Sequence, residues 1–344
     1  MIFGIIAIFF ISFLLVIFPT RIKSINRISS VLLVVILALF AAFRERKLVK
    51  DYEMYVQAWN RLDYEVNQIE VSFIFIRNVL RDDFGLAYIS IFITYALLGV
   101  ITKVLAVKKL SDFFYLSILI YISHFYILHE LTQIRAGVAA GFILLAIIPL
   151  YKRNFKLFLL FITIAILFHY SAIMILPLWF LKSNSKVKFL YFVVPAGFIL
   201  YFVGFNFMHN IPIAYFQTKM DAYQELSRKR TDGFDTINVF NVFYLIKVAV
   251  FYFILINREK ISHHNAYFYL LLRIEGLSLL ALPALALIPA IAYRVHEFLG
   301  VVEIILFPLI VYAFKRRYDG YILVIALALL FLYVNIFYNQ LILA

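Results

Sequence analysis

The sequence contains no cysteine, which excludes disulfide bonds, thiolate nucleophiles and cysteine-ligated metal sites. It also lacks the patterns GxxxxGK(S/T), GxGxxG, HExxH and GxSxG, so the usual signs of nucleotide binding, zinc-dependent hydrolysis and serine hydrolysis are missing. Acidic residues are scarce, with 19 against 32 lysines and arginines. Asp51 and Glu53 offer oxygen ligands for a divalent cation, but such a pair in a charged loop is usually solvated. We therefore predict no metal site and no cofactor.

Apolar residues dominate what is present, since 65% of the 344 residues are hydrophobic and the mean hydropathy is +0.97. A soluble domain is about half apolar, so the sequence predicts an integral membrane protein. The predicted apolar elements are 1–19, 28–43, 84–101, 113–128, 131–150, 157–168, 172–181, 187–208, 237–256, 266–291, 297–314 and 321–339. The predicted fold is all-α, a single integral membrane domain over 1–344 with about 11–12 transmembrane or re-entrant helices.

Positive charge is concentrated in one set of connections. The segments RIKSINR, TKVLAVKKLSD, YKRNFK, KSNSKVK, NREKISHHN and KRRYD hold 17 lysines and arginines against 3 acids. Because cytoplasmic loops carry an excess of Lys and Arg, we place these segments in the cytoplasm. The net charge of +13 is then a topology signal, and no nucleic-acid partner is predicted. Two long external loops, 44–83 and 209–236, fall on the opposite face, where loops of this length indicate function.

The first external loop carries aromatic residues at helical spacing. Tyr52, Tyr55 and Trp59 share a helix face (i, i+3, i+7) in DYEMYVQAWN. One interpretation is an amphipathic helix lying on the membrane, with its rings at headgroup level. The other is a platform for sugars, because aromatic faces and carboxylates suit carbohydrate hydroxyls. Both interpretations stay open at this point.

Arg135, a permanent cation, lies at the start of an apolar segment in HELTQIRAGVAAGFILLAIIPL. The polar residues just before it are His129, Glu130 and Gln133. A charge at the centre of a spanning helix costs about 2.5–3.5 kcal/mol, but near a helix end the side chain can snorkel. Gly137 and Gly141 form a GxxxG pattern, which predicts close packing against another helix. The alternatives for Arg135 are a lipid-facing anchor, a structural ion pair and a fork for phosphate oxygens.

Two further arginines lie at predicted outer helix ends. Arg44 begins the first external loop, and Arg294 lies in YRVHEF between two predicted spans. An interfacial pair of Arg294 with Glu297 at i, i+3 is one explanation. The other is that Arg44, Arg135 and Arg294 converge on one diphosphate, whose oxygens suit the guanidinium fork.

A pair of short apolar segments flanks the tripeptide HYS. As helices, 157–168 and 172–181 would be only about 18 Å and 15 Å long, too short for a hydrocarbon core of about 30 Å. One helix over 157–181 would span, but both of its flanks are basic, which places both ends on the cytoplasmic side. We therefore predict a re-entrant or broken hairpin with His169 near its outer tip. His169 is either a satisfied interior histidine or a site residue able to donate to phosphate or to move a proton.

Four blocks, in this order, resemble a known family: FRERKLVKDYEMY, LTQIRAGVAAGFILLAI, LFHYSAIMILPLWFL and YRVHEF. They are similar to the EpsG-like branch of the bacterial O-antigen and exopolysaccharide polymerases (Wzy), over most of residues 40–310. The first block departs from the family pattern R–G–D–Y, because it inserts basic residues before Asp51 and lacks glycine. The resemblance implies a fold related to the GT-C membrane glycosyltransferases. It also implies that a growing glycan on undecaprenyl diphosphate is transferred to the next lipid-linked repeat unit.

The resemblance implies roles for individual residues. The arginines that would hold the donor diphosphate are Arg135, Arg294 and Arg44. The candidate bases for the acceptor hydroxyl, with the first preferred, are His169, Asp51, Glu130 and His296. The residues that would contact sugars are Tyr52, Tyr55, Trp59, Gln133, His129 and His296. The expected partners are the lipid bilayer, undecaprenyl-diphosphate-linked oligosaccharide and a membrane protein that regulates chain length.

The predicted function is polymerisation of lipid-linked repeat units in the bacterial inner (cytoplasmic) membrane, with the active face periplasmic or extracytoplasmic. A flippase for the same lipid-linked oligosaccharide is the alternative, although its charges would line a path accessible from both sides. A membrane O-acyltransferase would need a cytoplasmic route for its acyl donor, and the cytoplasmic loops here are short and basic. A scaffold protein would not explain arginines at three outer helix ends.

Overall fold

A computed structural model describes residues 1–18, 22–46, 51–60, 69–208 and 237–342. The second predicted external loop, 209–236, lies outside the described residues, as do 47–50 and 61–68 of the first loop. In chain order, the α-helices are α1 (Ile2–Ile17), α2 (Lys23–Ala42), α3 (Tyr52–Asn60), α4 (Val71–Asn78), α5 (Ile89–Leu110), α6 (Phe114–Tyr121), α7 (Ile134–Tyr151), α8 (Phe155–Phe168), α9 (Leu190–Met208), α10 (Val242–Ile256), α11 (Arg258–Ser262), α12 (Phe268–Ala284), α13 (Pro289–Gly300), α14 (Glu303–Leu306) and α15 (Arg317–Tyr333). Helices α4, α6 and α15 continue as the π-helices Val79–Asp83, Ile122–Thr132 and Val334–Tyr338, and 3-10 helices cover Tyr170–Phe180 and Phe307–Ala313.

The fold class follows from these elements, because within the described ranges no strand occurs. A bilayer offers no water to backbone groups, so a spanning segment must satisfy them internally, as a helix does. The helices long and apolar enough to cross a membrane are Ser24–Ala42, Ile89–Leu110, Phe114–Thr132, Ile134–Tyr151, Pro289–Ala313 and Arg317–Tyr338. Shorter apolar helices are Ile2–Ile17, Phe155–Phe168, Tyr170–Phe180, Leu190–Gly204 and Val242–Ile256. The prediction of an all-α, multi-pass membrane protein is confirmed.

The chain forms two compact units. Unit 1 comprises Met1–Trp179 and Glu303–Ala344, and unit 2 comprises Phe180–Val302. In unit 1, α7 packs against α5 and α8, and α5 also packs against α2. In unit 2, α12 packs against α9, α10 and α13. Each unit therefore has helices that bury one another over much of their length.

Close packing of α5 against α7 depends on small residues. Gly141 of α7 lies against the Thr102 side chain of α5. A Cβ atom at Gly137 would lie 2.9 Å from an oxygen of the Glu130 carboxylate, which occupies the space that the glycine leaves. Larger side chains at these positions would push the backbones apart. The packing predicted from the GxxxG pattern is confirmed.

A buried ion pair joins α5 to the π-helix that continues α6. Lys103 Nζ lies 2.6 Å from Glu130 Oε1 and donates to the Gly137 carbonyl oxygen, also at 2.6 Å. The Tyr121 hydroxyl donates to Glu130 Oε1 at 2.7 Å. The sequence prediction that TKVLAVKKLSD is a cytoplasmic connection is wrong for Lys103, because α5 continues to Leu110 and buries this lysine completely.

The segment that follows α7 folds back on itself. After α8 the backbone is extended at His169 (φ −155°, ψ 114°), and the 3-10 helix Tyr170–Phe180 returns. The Trp179 ring centre lies 5.0 Å from that of Phe155, at the start of α8. Arg153 donates to the Trp179 carbonyl oxygen at 2.7 Å. Because the end of the second arm meets the start of the first, the predicted hairpin with His169 at its tip is confirmed.

A proline sets a helix boundary in unit 2. The sequence predicted a span over 266–291 and a corner at 293–298, but α12 ends at Ala284 and α13 begins at Pro289. Proline suits the first position of a helix, since its fixed φ is helical and its missing N–H would have no partner there. The arginine, histidine and glutamate of YRVHEF therefore lie inside α13, and the predicted corner between two spans is wrong.

Candidate functional site

An ion pair between Glu70 and Arg135 forms the centre of the candidate site. Arg135 Nη1 donates to Glu70 Oε2. The Glu70 side chain is 5% exposed and that of Arg135 is 15% exposed. Taking two charges out of water costs free energy that their attraction offsets only when geometry and further hydrogen bonds are good. The groups around this pair therefore decide what it can do.

His169 lies beside the same carboxylate. Its Nδ1 is 3.8 Å from Glu70 Oε1. The backbone N–H of Ser171 also lies against this Nδ1, at 3.3 Å, which helps to orient the ring. Glu70, which sequence reasoning missed, thus connects Arg135 and His169, which it identified.

Three helix ends position these side chains. Glu70 directly precedes α4 and has extended backbone there (ψ 148°). Arg135 lies in the first turn of α7, and His169 caps the end of α8. Each residue borders an apolar helix, VSFIFI, AGVAAGFILLAI or LFLLFITIAILF, whose burial fixes the polar residue at its edge. Helix α8 contacts both α4 and α7, which brings the three ends together.

Tyr55 connects this ion pair with a second arginine. The Arg135 guanidinium carbon lies 5.6 Å from the centre of the Tyr55 ring, within the range of a cation–π contact. Tyr55 meets Phe92 edge-on at 6.2 Å, and the Arg44 guanidinium carbon lies 4.8 Å from the Phe92 ring centre. Arg44 and Arg135 therefore flank one pair of aromatic rings.

Arg44 is buried although it follows the end of a spanning helix, α2. It is 5% exposed, and its Nη1 donates to the Leu131 carbonyl oxygen at 2.8 Å. Burial lowers the pKa of Arg44 to about 10, which leaves the guanidinium protonated at neutral pH. The π-helix that contains Leu131 thus fixes the second cation of the site.

Both arginines keep N–H donors that meet no acceptor in the described part of the chain. These are Nε and Nη2 of Arg44 and Nε of Arg135. A buried donor without a partner costs about 1–3 kcal/mol. Oxygens of a bound anion would satisfy such donors, and guanidinium groups match phosphate oxygens in geometry and charge. Arg135 can therefore hold an anion beside a carboxylate and an imidazole, and Arg44 can hold one beside the Phe92 ring, which packs against Tyr55.

Two residues predicted for the site are instead enclosed in the π-helix. Glu130 is 1% exposed and is bonded to Lys103 and Tyr121. His129 is fully buried, with its ring centre 5.4 Å from that of Phe125. A catalytic Glu130 and a sugar-binding His129 are not supported by this placement, because neither side chain is open to a substrate.

The aromatic face of α3 points into unit 1. The exposed fractions of Tyr52, Tyr55 and Trp59 are 4%, 3% and 4%, so the three residues do share a face. The Tyr52 ring stacks on Phe92 at 4.6 Å. Since the rings pack inside the protein, they form neither a belt at headgroup level nor an open sugar platform here. Asp51 and Gln133, which were also predicted for the site, are half-buried.

Arg294 and His296 belong to unit 2 and have partners there. Arg294 Nη1 donates to Glu297 Oε2 at 3.1 Å, which confirms the pair expected at i, i+3. His296 Nδ1 lies 2.9 Å from the Ser278 carbonyl oxygen and 3.0 Å from its hydroxyl. Convergence of Arg294 with Arg44 and Arg135 stays a prediction.

Sequence reasoning missed Glu70 and Lys103. Glu70 is one of several acids in the first external loop, and its distinguishing signal is its position directly before the apolar run VSFIFI. Lys103 lies among the basic residues of TKVLAVKKLSD, and the apolar VLAV after it was the sign that the helix continues. Neither signal identifies the oppositely charged residue with which Glu70 or Lys103 forms its ion pair.

Comparison with known proteins agrees with the family resemblance of the four sequence blocks. The profile of the EpsG family matches residues 27–342. The amylovoran biosynthesis protein AmsC of Erwinia amylovora is 30% identical over 107 residues, and that match covers 30% of this chain and 28% of AmsC. No solved structure matches the chain. Because this match covers most of the chain, the protein belongs to the EpsG family.

Proposed function

We propose that the protein is a membrane glycosyltransferase that joins undecaprenyl-diphosphate-linked oligosaccharide repeat units into an exopolysaccharide or O-antigen. It would act on the extracytoplasmic face of the bacterial cytoplasmic membrane. Membership of the EpsG family and the similarity to a protein of amylovoran biosynthesis support a role in polysaccharide biosynthesis. The observation that carries the proposal is that the buried arginines Arg44 and Arg135 keep unmet N–H donors, and that Arg135 lies beside a carboxylate and a histidine.

The two arginines would hold the diphosphate of the donor lipid. As the bond between the anomeric carbon and the diphosphate oxygen breaks, negative charge grows on the leaving diphosphate. Preorganised donors aimed at developing charge are often the largest catalytic contribution, and removal of one donor costs about 2.7–4 kcal/mol of transition-state stabilisation. Arg44 is held in place by the Leu131 carbonyl oxygen, so it needs no reorganisation when the charge develops.

The acceptor sugar hydroxyl must lose a proton as its oxygen attacks the anomeric carbon. A base for this step has to lie within hydrogen-bond reach of the hydroxyl. Of the bases that the sequence predicted, His169 lies beside the Glu70–Arg135 pair. Gln133, half-buried two residues before Arg135, is the remaining candidate for a sugar contact near the cations.

The charge pattern of the connections supports an extracytoplasmic orientation of the site. Arg44 and Arg135 lie at helix ends opposite to the basic segments that the Lys/Arg bias assigns to the cytoplasm. The tip of the hairpin at His169 lies opposite to its own basic flanks, Arg153 and Lys182. A lipid-linked substrate would keep its polyprenyl tail in the bilayer, while its diphosphate reaches the cations at the interface.

The test is incubation of the purified protein with undecaprenyl-diphosphate-linked repeat units, read as a product ladder on a gel. Wild-type protein should form a ladder, and Arg135→Ala should form none while remaining monodisperse. Arg316→Ala is the control, because this arginine is exposed and lies far along the chain from the site. Full ladders from Arg135→Ala would remove this residue from the mechanism. If wild-type protein moves the lipid between leaflets without joining units, the flippase alternative holds.

A further inference from the structure

The Glu70 carboxylate occupies the position that an anionic substrate would need. It accepts a hydrogen bond from Arg135 Nη1 and, at 5% side-chain exposure, it is nearly enclosed. Arg135 is also the guanidinium that the proposed function assigns to the donor diphosphate. Two anions that compete for one cation cannot both keep their full interaction with it, because like charges at short distance repel. Substrate binding must therefore alter the Glu70–Arg135 pair.

We propose that Glu70 changes partner during the reaction and is the catalytic base. In the protein without substrate it neutralises Arg135. When the diphosphate binds Arg135, Glu70 Oε2 loses its partner and becomes the acceptor for the proton of the attacking sugar hydroxyl. This inference rests on the proposed function. It identifies a general base for the reaction, which becomes available only when the donor lipid is bound.

The chemistry of the step is balanced without any other reactant. The acceptor hydroxyl oxygen forms a bond to the anomeric carbon of the donor glycan, and its proton moves to the Glu70 carboxylate. The bond between the anomeric carbon and the diphosphate oxygen breaks, and its electron pair leaves with the diphosphate, which Arg135 holds. The products are the extended lipid-linked glycan, undecaprenyl diphosphate and a protonated Glu70.

His169 lies beside the Glu70 carboxylate. Its Nδ1 lies 3.8 Å from Glu70 Oε1, beyond the distance of a direct hydrogen bond, so it orders the polar surroundings of the carboxylate without taking its proton directly. A protonated Glu70 therefore releases its proton to solvent after the transfer. The restored carboxylate then competes with the product diphosphate for Arg135, which favours product release.

The test compares Glu70→Gln with wild-type protein in two assays. In the polymerisation assay, kcat should fall about 10²- to 10⁴-fold, the usual contribution of a general base, while KM should fall as well. In a binding assay with farnesyl diphosphate, Glu70→Gln should bind about tenfold more tightly, equivalent to about 1.4 kcal/mol, because the competing charge has been removed. Glu53→Gln is the matched control, since Glu53 also pairs with an arginine of the first loop but is half exposed.

Each other outcome overturns the proposal. A raised KM with unchanged kcat would make Glu70 a positioning residue for Arg135, and an unchanged kcat with an unchanged KM would assign the base to another group. If Glu70→Gln does not fold, Glu70→Asp decides: it should keep near wild-type affinity for farnesyl diphosphate, with a lower kcat. Loss of affinity in Glu70→Asp would contradict the exchange of partners. Failure of wild-type protein to polymerise at all would instead refute the proposed function.

Discussion

Buried charges in unit 1 come in pairs whose members lie on different elements. Lys103 of α5 meets Glu130 of the π-helix, and Glu70 before α4 meets Arg135 of α7. Removal of one partner leaves an uncompensated buried charge, which is far more costly than replacement of both. The two pairs differ in one respect, since the side chains of Lys103 and Glu130 are at most 1% exposed whereas Arg135 is 15% exposed. We therefore assign a structural role to the first pair and a chemical role to the second.

Single substitutions in the enclosed pair should destabilise the protein strongly. Lys103→Met or Glu130→Gln should lower the free energy of unfolding by about 3–5 kcal/mol, because each leaves a buried charge or its hydrogen-bond partners unpaired. The double variant Lys103→Met with Glu130→Gln should recover most of that loss. Thermal unfolding of the purified variants in detergent measures both effects.

Activity of the same double variant tests the assignment of roles. A stable double variant should still polymerise lipid-linked units, because Glu130 touches no substrate in our account. A variant with restored Tm but no product would show that Glu130 has a chemical role after all.

Single residues also show how far sequence reasoning reaches. Arg135 and His169 could be identified because each interrupts an apolar run, where a polar residue is costly and needs a reason. Glu70 could not, because acids are common in the first loop and its partner is 65 positions away. The burial of Tyr52, Tyr55 and Trp59 was also hidden, since helical spacing shows that residues share a face but not which way it points.

At the scale of elements, the contact between α7 and the π-helix Ile122–Thr132 should tolerate no added methyl group at Gly137. A Cβ at Gly137 would lie 3.0 Å from the His129 carbonyl oxygen, which is backbone and cannot move without shifting the π-helix. Gly137→Ala should therefore cost about 1–3 kcal/mol of stability through overpacking. Gly204→Ala is a suitable control, because its nearest neighbour, at 3.2 Å, is the end of the flexible Leu287 side chain. Equal melting temperatures for the two variants would contradict the packing argument.

The hairpin around His169 can be tested through membrane sidedness. The natural chain has no cysteine, so Lys156→Cys and Lys182→Cys each introduce one thiol on an exposed flank. Both thiols should resist a membrane-impermeant maleimide in intact cells and react after permeabilisation. Asn60→Cys, exposed at the end of α3 in the first external loop, should react without permeabilisation. Opposite reactivity of the two flanks would mean a single spanning helix instead of a hairpin.

The boundaries of an element could be predicted where the length of its apolar segment and the charge of its flanks gave the same answer. They were missed where a single lysine or proline did not behave as its position in the sequence suggested. The hairpin follows from two short apolar segments between basic flanks. The end of α5 was predicted too early because the sequence does not distinguish a buried lysine from a lysine in a loop. The start of α13 at Pro289 was missed because the run 266–291 is apolar throughout, and hydrophobicity alone does not show where a proline begins a new helix.

At the scale of the whole molecule, the charge pattern agrees with the proposed orientation of the site. The cations that remain after Lys103 is assigned to the core still favour the connections that the sequence predicts to be cytoplasmic. Arg44 and Arg135 lie at the opposite ends of helices α2 and α7 from these connections. The EpsG family match spans both units.

The central claim is that Arg44 and Arg135 bind the diphosphate of a polyprenyl lipid. The most direct measurement is the dissociation constant of farnesyl diphosphate for purified wild-type protein, Arg44→Ala, Arg135→Ala and the control Arg316→Ala. Our account predicts binding that is about 10- to 100-fold weaker for each of the first two variants, from the loss of charge-assisted contacts worth about 1.5–3 kcal/mol. It predicts no change for the control and no binding of farnesol. Folded Arg44→Ala and Arg135→Ala proteins that bind farnesyl diphosphate as tightly as wild type would contradict the account.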